Sequence, residues 1–597
     1  MPDYPDHAAA DVSELWKKRH TAAHVMAQAV LEIFPDAQLA IGPPIEDGFY
    51  YDFDLPRTLT PDDLADIEAR MRRIQGENLP LTRSEKPREE ALTWEREHGQ
   101  SYKVELINDL PEGETISFYT QGPFTDLCRG PHVAGTGQIG VFKLDRVAGA
   151  YWRGDERRPQ LQRIYGVLFD TPQELEEYYA RLEEAKKRDH RVLGRQLGLF
   201  VFSDDIGSGI PLFLPKGEIV RHTMESYVRD VQTRYGYQHV WTGHLVKEEL
   251  YKKSGHYDNY LDAMFPPLVD PDGPTFRLKP MNCPSHMTLF NAGLHSYRDL
   301  PLRYAEFATL YRYEKSGELN GLTRVRSLTQ DDCHIFCTPD QIEGEFTLAL
   351  RLIREVLQRY GFEDYRVRLS LRDENPDSKF VKDDERWVLA TQALRNALEA
   401  NNVQYFEAAG EAAFYGPKAD FLTRDVLGRE WQISTIQVDF IQPQRLGCQY
   451  IGEDSQPHTP VVLHRAVTGS TERFLGVLIE HYAGAFPTWL APVQALVLPI
   501  ADRHKEYADG VAAGLREAGF RADVDGRNEK VGKKIAEASV QKVPYMLVVG
   551  DRDAAAGAVS VRQRGGTDLG AMPLDDFLAR LKEETEGVPK PFFLREP

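Results

Sequence analysis

The sequence predicts a multidomain α+β protein, and three observations lead there. A chain of 597 residues is long enough for three or four domains, each with its own buried core. Apolar alternation in FATLYRY and again in VRSLTQ, either side of a polar glycine-containing segment, predicts two antiparallel strands joined by a hairpin. Beyond about residue 490, apolar strand and helix patterns alternate at short spacing, which predicts a three-layer α/β domain.

At the N-terminus, MPDYPDHAAADVSELWKKRH contains no apolar signal core, so a cytoplasmic location is expected. A run of apolar residues long enough to cross a membrane is absent from the sequence. The five cysteines (128, 283, 333, 337 and 448) are odd in number and thinly spread, which argues against a disulfide framework. A net charge of −20 repels phosphate, so any RNA contact must use local basic patches. The first helix is expected from roughly Asp11 to Ile33 and carries His20 and His24, which share one helix face. TDLCRGPH adds a second pair, Cys128 and His132. Either pair alone is ordinary surface chemistry, whereas the four together read first as a zinc site by ligand type. From 171 to 200 a capping residue followed by acidic-to-basic i,i+4 pairs predicts a solvated linking helix.

Next, GIPLFLPKGEIVRHTMESYVRDVQTRYGYQHV reads as strand, turn, long amphipathic helix and strand. The stretch from KPMNCPSH to Cys337 then concentrates chemistry: Cys283, Arg312-Tyr-Glu314, Arg324, Arg326, Gln330-Asp331-Asp332 and His334. A hairpin here can point an arginine fork from each strand at one phosphate or carboxylate. His464, in VVLHRAVTGSTERF, joins Cys283 and His334 as a third metal candidate. One thiolate and two imidazoles leave a fourth zinc position open, as a reactive site requires. Cys333 and Cys337 read as packed core residues.

Arg312-x-Glu314 followed by Arg324 resembles motif 2 of the class II aminoacyl-tRNA synthetases. RVRSLTQDDCHIF and KPMNCPSH look like threonyl-tRNA synthetases of the bacterial type, and the resemblance runs over essentially the whole chain. It implies an editing domain over 1–170, a linker helix over 171–197, a class II catalytic domain over 198–489 and an anticodon-binding domain over 490–597. The implied fold is an antiparallel-sheet catalytic core with an α/β editing domain and a C-terminal α/β domain. His20 lies so near the start that the family's small N-terminal domain is expected to be missing. The pattern HxxxH…CxxxH resembles the family's editing domain, which implies that His20, His24, Cys128 and His132, with Lys103 and Asp126, position a water for deacylation. In related alanyl-type domains such a cluster holds zinc, and the metal-free reading is the one expected here.

For the catalytic domain the resemblance implies one zinc per subunit on Cys283, His334 and His464, taking the amino group and hydroxyl of threonine together. Asp332 would accept the hydroxyl, while Gln330 and Tyr415 orient the amino group. Arg312 would contact the α-phosphate of ATP, which brings Mg²⁺, with Glu314 and Arg324 nearer the adenine and γ-phosphate ends. Arg473 matches the motif 3 arginine, Lys418 would stabilise charge on the transferring group, and Gln432 and Gln437 complete the ATP set. The motif 1 helix and strand imply a homodimer, although Gly243 stands where the motif has proline. Ser285 and Ser327 likewise replace family glycines.

Residues 490–597 hold 16 Lys and Arg against 17 Asp and Glu, so the chain's acidity lies elsewhere, which favours an RNA-facing role. A generic Rossmann-like module is the alternative, but GxGxxG does not follow its first strand. Asn528, Asp553 and Arg562 fall where threonyl enzymes contact anticodon bases. The implied activity is ATP-dependent attachment of threonine to tRNA(Thr), with hydrolysis of seryl-tRNA(Thr). A non-catalytic tRNA-binding or editing-only paralogue is the rival reading.

Overall fold

The structure is a computed structural model and describes residues 12–155, 157–373, 380–425 and 427–587. The chain forms two compact units, Met1–Glu183 and Glu184–Pro597. The first is organised around the helix Glu14–Ile33, which Ser13 caps by accepting the Trp16 amide at 3.2 Å. Every residue of that helix from Arg19 to Val30 is buried. Asp11, its expected start, lies outside the described residues. An antiparallel sheet packs on it in the order Gln38–Leu39, Gly48–Asp54, Gln160–Phe169, Val141–Tyr151. The helix Pro61–Glu77, entered through a Thr60–Asp63 capping box, adds Ile67, Met71 and Ile74 to the same core. A second antiparallel sheet joins Leu81–Lys86, Ile116–Gln121 and Phe124–Leu127.

The helix Pro172–Arg188 opens on a reciprocal Thr171–Glu174 cap and buries none of its residues, the behaviour of a solvated linker. The sequence predicts one helix to residue 197, but it breaks at Asp189. That carboxylate accepts the Arg191 amide at 2.8 Å and starts a separate helix, His190–Gln196. A side chain that satisfies free amides favours a new start over continuation.

The second unit is built on an eight-stranded sheet. Its order is Gln238–His239, Leu302–Tyr311, Ser327–Cys337, Val461–Ala466, Glu430–Asp439, Lys418–Arg424, Tyr365–Leu371, Tyr405–Ala409. The six inner strands pair antiparallel and the two edges parallel. The predicted hairpin is present, with Leu302 opposite Phe336 and Tyr311 opposite Ser327. One sheet face is apolar and packs on the helices Pro215–Arg234, Ile342–Arg359, Asp384–Ala400 and Thr471–His481. Ser285 lies inside the helix Cys283–Phe290 and Ser327 begins a strand, so neither departure from glycine meets a backbone it cannot adopt.

The C-terminal part carries a sheet in the order Ala522–Val524, Ala495–Pro499, Tyr545–Val549, Ala558–Gln563, Asp568–Pro573. Its first three strands are parallel and the rest antiparallel. Alternate residues face opposite ways. Ala495, Val497, Tyr545 and Leu547 pack with the helices Lys505–Glu517 and Leu574–Glu584. Leu496, Leu498 and Met546 pack with Val531–Val540 on the other side. The expected three layers follow from that alternation.

Candidate functional site

The pleat sorts the eight-stranded sheet into two chemical faces. Cys333, Ile335, Cys337, Leu463, Ile436 and Val438 enter the apolar core. Their alternates Gln330, Asp332, His334, His464 and Gln437 therefore share the opposite face. His334 and His464 are direct cross-strand partners, and Gln437 pairs with His464 from the other side. Cys283 opens the helix Cys283–Phe290. The ligand atoms of Cys283, His334 and His464 lie within 4.8 Å of one another, and all three residues are buried.

Hydrogen bonds fix which imidazole nitrogens remain available. His464 Nε2 meets Asp439 Oδ2 at 3.0 Å, which leaves Nδ1. His334 Nδ1 meets His286 Nδ1 at 2.8 Å, and His286 Nε2 meets Glu306 Oε2 at 3.1 Å. Burial alone would raise the pKa of Glu306, but His286, Asn282, the Thr242 amide and Lys279 bring it down to about 2. Asn282 Nδ2 lies 2.8 Å from the same nitrogen and 2.7 Å from Glu306 Oε2, so with the amide hydrogen given to Glu306 the ionised carboxylate favours the proton on His286 Nε2. His286 Nδ1 then accepts from His334 Nδ1–H, and His334 Nε2 is left as a lone pair. That nitrogen is buried without a hydrogen-bond partner. An unpartnered buried nitrogen in a set of one thiol and two imidazoles fits a metal ion, with Glu306–His286 and Asp439 orienting the ligands. Burial pushes the Cys283 thiol well above its ordinary range and the His334 imidazole well below it. A cation would reverse the first effect by stabilising the thiolate. His256 Nε2, which sequence reasoning missed, lies 3.3 Å from Cys283 Sγ.

Beside this cluster opens a cleft of about 670 Å³ lined by Arg312, Glu314, Arg324, Gln330, Gln432 and Arg473, all expected, and by Trp431. Glu314 receives Arg324 Nε at 3.1 Å. Arg473 lies over the Trp431 ring at 5.7 Å, and burial together with Arg324 lowers its pKa. Gly469 turns the strand Val461–Ala466 into the helix Thr471–His481 with φ +66°, where a side chain is strained. The Ser470 hydroxyl caps that helix. The fully buried Asp331 holds the turn by accepting the Val467 and Thr468 amides at 2.9 and 3.2 Å.

Three expected residues have partners that the sequence did not reveal. Gln437, grouped with the nucleotide from sequence, accepts the Tyr415 hydroxyl at 2.6 Å, and Tyr415 stacks on His464. Strand register puts it beside His464 in the Cys283–His334–His464 cluster. Lys418 is bonded to the buried Asp420 at 2.8 Å, which also receives Arg368, Ser370, Gln432 and Thr435. Asp332 is buried on the cluster face opposite Glu306, and that burial raises its pKa.

In the first unit all six expected residues meet. Ligand atoms of His20, His24, Cys128 and His132 lie within 4.8 Å of one another. Cys128 Sγ is 3.3 Å from His20 Nε2 and 3.2 Å from His132 Nε2, and receives the Gly130 amide. His20 Nδ1 is 3.1 Å from the Pro131 carbonyl, which as an acceptor places the proton on Nδ1. Lys103 joins Asp126 at 2.6 Å, and Asp126 lies 3.7 Å from His24. Tyr51, unsignalled in sequence, donates to Asp126 at 2.5 Å and accepts from Lys103. Burial lowers the imidazoles of His20 and His24 to about 3 and about 4, and raises the Cys128 thiol to about 12. Burial thus disfavours the imidazolium and thiolate forms of these groups. The buried His24 Nδ1 has no hydrogen-bond partner.

Of the expected anticodon residues, Asn528 is exposed after the strand Ala522–Val524, and Arg562 is half-exposed beside Asp568. Asp553 is buried instead, accepting the Gly550 amide and the Ser560 hydroxyl. Its position three residues into the helix signals that capping role.

An antiparallel sheet with one polar face, an arginine-bearing hairpin and a glycine-turned helix is the core of a class II aminoacyl-tRNA synthetase. Residues 268–482 match the family model for the class II tRNA synthetase core domain (G, H, P, S and T). Residues 494–584 match that for an anticodon binding domain, and 116–165 that for the threonyl and alanyl tRNA synthetase second additional domain. The chain is 61% identical over 582 residues to a threonine–tRNA ligase of Rubrobacter xylanophilus, covering 97% of this chain and 90% of that protein. It is 53% identical to one from Thermus thermophilus over 592 residues, covering 96% and 89%. A solved structure, the RNA binding domain of threonyl-tRNA synthetase from Cryptosporidium parvum, superimposes with TM-score 0.64 at 37% identity, covering 67% of this chain and 99% of that one. The chain belongs to the threonine–tRNA ligase family.

If Glu306 and His286 set the His334 tautomer, His286→Ala should bind metal about 10- to 100-fold more weakly by chelator competition. Cys283→Ala should lose the metal. Wild-type affinity in His286→Ala would remove the relay from the account.

Proposed function

We infer that this chain attaches threonine to tRNA(Thr) in two steps and hydrolyses seryl-tRNA(Thr) in its N-terminal unit. The observation that carries the first part is the meeting of Cys283, His334 and His464 with an arginine-lined cleft on one sheet face. Zinc held by those three residues supplies, when bound, an open position that takes the amino group and hydroxyl of threonine together. Asp332 would accept the hydroxyl, and Gln330 and Tyr415, the latter bonded to Gln437, would orient the amino group. Valine lacks the hydroxyl, and a polar site left unpaired rejects it far more strongly than an apolar pocket would.

In the cleft Arg312 and Arg473 neutralise charge on ATP, which arrives with Mg²⁺, while Glu314 and Arg324 hold its adenine and γ-phosphate ends. The threonine carboxylate displaces pyrophosphate at the α-phosphorus, a step that depends on positioning and charge neutralisation. The terminal ribose hydroxyl of tRNA then attacks the mixed anhydride. Lys418, drawn to Asp420, and Arg368 beside it set the charge near that reaction. A non-catalytic or editing-only paralogue is disfavoured because the arginines and the cluster are both intact.

Serine satisfies the same polar groups and is smaller by one methyl, worth only about 1–3 kcal/mol of discrimination. A second, hydrolytic site is therefore required. His20, His24, Cys128 and His132 converge and are suited to position a water at the misplaced seryl ester, and we assign them no metal. Asn528 and Arg562 are proposed to meet the anticodon. The exposed Trp241 beyond the edge strand Gln238–His239, with the helix Pro215–Arg234, supports a homodimer. Among the described residues no helix is long and apolar enough to cross a membrane. A cytoplasmic site of action is proposed.

Pyrophosphate exchange across the amino acids should respond to threonine, weakly to serine and negligibly to valine. Exchange driven equally by valine would contradict the threonine site. Cys128→Ala and His20→Ala should keep wild-type threonine charging but fail to deacylate preformed seryl-tRNA(Thr). Equal hydrolysis by wild type and Cys128→Ala would remove this cluster from editing.

A further inference from the structure

Between the linker and the catalytic sheet, His190 is buried and fully engaged. Its Nδ1 lies 2.6 Å from Glu480 Oε1, and its main-chain amide donates to the same oxygen at 3.1 Å. Because the carboxylate accepts, the ring proton sits on Nδ1 and Nε2 is a lone pair. That lone pair accepts the Leu322 amide at 3.0 Å. Leu322 belongs to the segment joining the two hairpin strands, which also carries Arg312, Glu314 and Arg324 into the cleft.

The approach is close on two sides. Gly321, at φ +49°, lies so near that an added Cβ would fall 2.2 Å from His190 Nε2. At Gly476, on the helix Thr471–His481, a Cβ would lie 3.3 Å from Leu322 Cβ and 3.4 Å from Thr323 Cγ2. The Thr323 amide and hydroxyl both return to the Asn320 carbonyl, at 2.9 and 2.8 Å, closing a tight turn just before Arg324.

The other oxygen of Glu480 bonds Arg429, whose Nε meets Asp425 Oδ2 at 2.7 Å. The same Asp425 oxygen accepts the Trp431 indole at 2.9 Å, and Trp431 lies under Arg473 in the cleft. One carboxylate on the helix Thr471–His481 thus ties both walls of the cleft. Asp189, His190 and Glu480 also have ligand atoms close enough for a metal. Both His190 nitrogens are occupied, however, and Asp189 is bonded to Arg191. The group is a clamp.

We propose that His190 is a positioning residue for ATP: through Leu322 it fixes the segment that aims Arg324 and Glu314 at the nucleotide. The proposal rests on the reading of the cleft as an ATP site. It is tested by threonine-dependent pyrophosphate exchange, with KM for ATP and for threonine measured separately. His190→Asn keeps a donor at the Nδ1 position for Glu480 but cannot reach Leu322. His190→Gln places an amide oxygen where Nε2 stood and can accept the Leu322 amide. His190→Asn should raise the KM for ATP about five- to tenfold, the effect of one lost buried hydrogen bond. Its KM for threonine should stay within about twofold of wild type, and His190→Gln should restore most of the loss. Gly321→Ala, whose added Cβ presses on His190 Nε2 from the loop side, should raise the KM for ATP in the same direction. A wild-type KM for ATP in both His190→Asn and Gly321→Ala would overturn the proposal. So would equal defects in the Asn and Gln variants, or an equal rise in the KM for threonine. Absence of exchange in the wild-type protein would instead refute the ATP reading itself.

Discussion

Antiparallel pairing puts His334 and His464 directly opposite each other on adjacent strands, and the site is built outward from that pair. Side chains opposite one another in such a ladder have Cβ atoms about 4.5–5.5 Å apart, close enough to share one small ion or ligand. The same pleat brings Gln330, Asp332 and Gln437 onto the polar face while Cys333, Ile335 and Leu463 fill the core. A slip of one residue in either strand would exchange the two faces and lose core and site together. The apolar face therefore protects the chemistry, because a register that buries it correctly also assembles the ligands.

Buried carboxylates do the second layer of work. Asp439 and Glu306 set imidazole tautomers at the cluster, Asp331 holds the turn into the helix Thr471–His481, and Glu480 links the two cleft walls. Each is surrounded by donors, which is the condition for keeping a charge away from water. In the first unit Asp126 plays a comparable part. Burial alone would raise its pKa, but Lys103, His24 and Tyr51 hold it below the usual range.

What the sequence made legible was chemistry carried by loops and short local patterns. Arg312, Glu314, Arg324 and Arg473 line one cleft, and His20, His24, Lys103, Asp126, Cys128 and His132 converge in another place. The hairpin and the layered C-terminal sheet were readable because their apolar periods are strong. Residues whose meaning depends on a distant strand were not. Glu306 looks like the polar half of an alternating strand and Asp331 like a misfit in the apolar half, until partners far along the chain surround them. The place of Gln437 was not legible because only register shows that it faces His464. The linker break came from Asp189, a local capping signal that the regular charge pattern around it hid. Asp553 likewise had a helix-start position that explains its inward carboxylate without any RNA.

The most direct test of the account is X-ray absorption at the zinc edge, on protein purified with its metal, with and without threonine. Three protein ligands are predicted: one sulfur at about 2.3 Å and two nitrogens at about 2.0–2.1 Å, with open coordination that threonine fills and valine does not. A closed four-ligand protein shell, more than one sulfur, or a spectrum indifferent to threonine would contradict it.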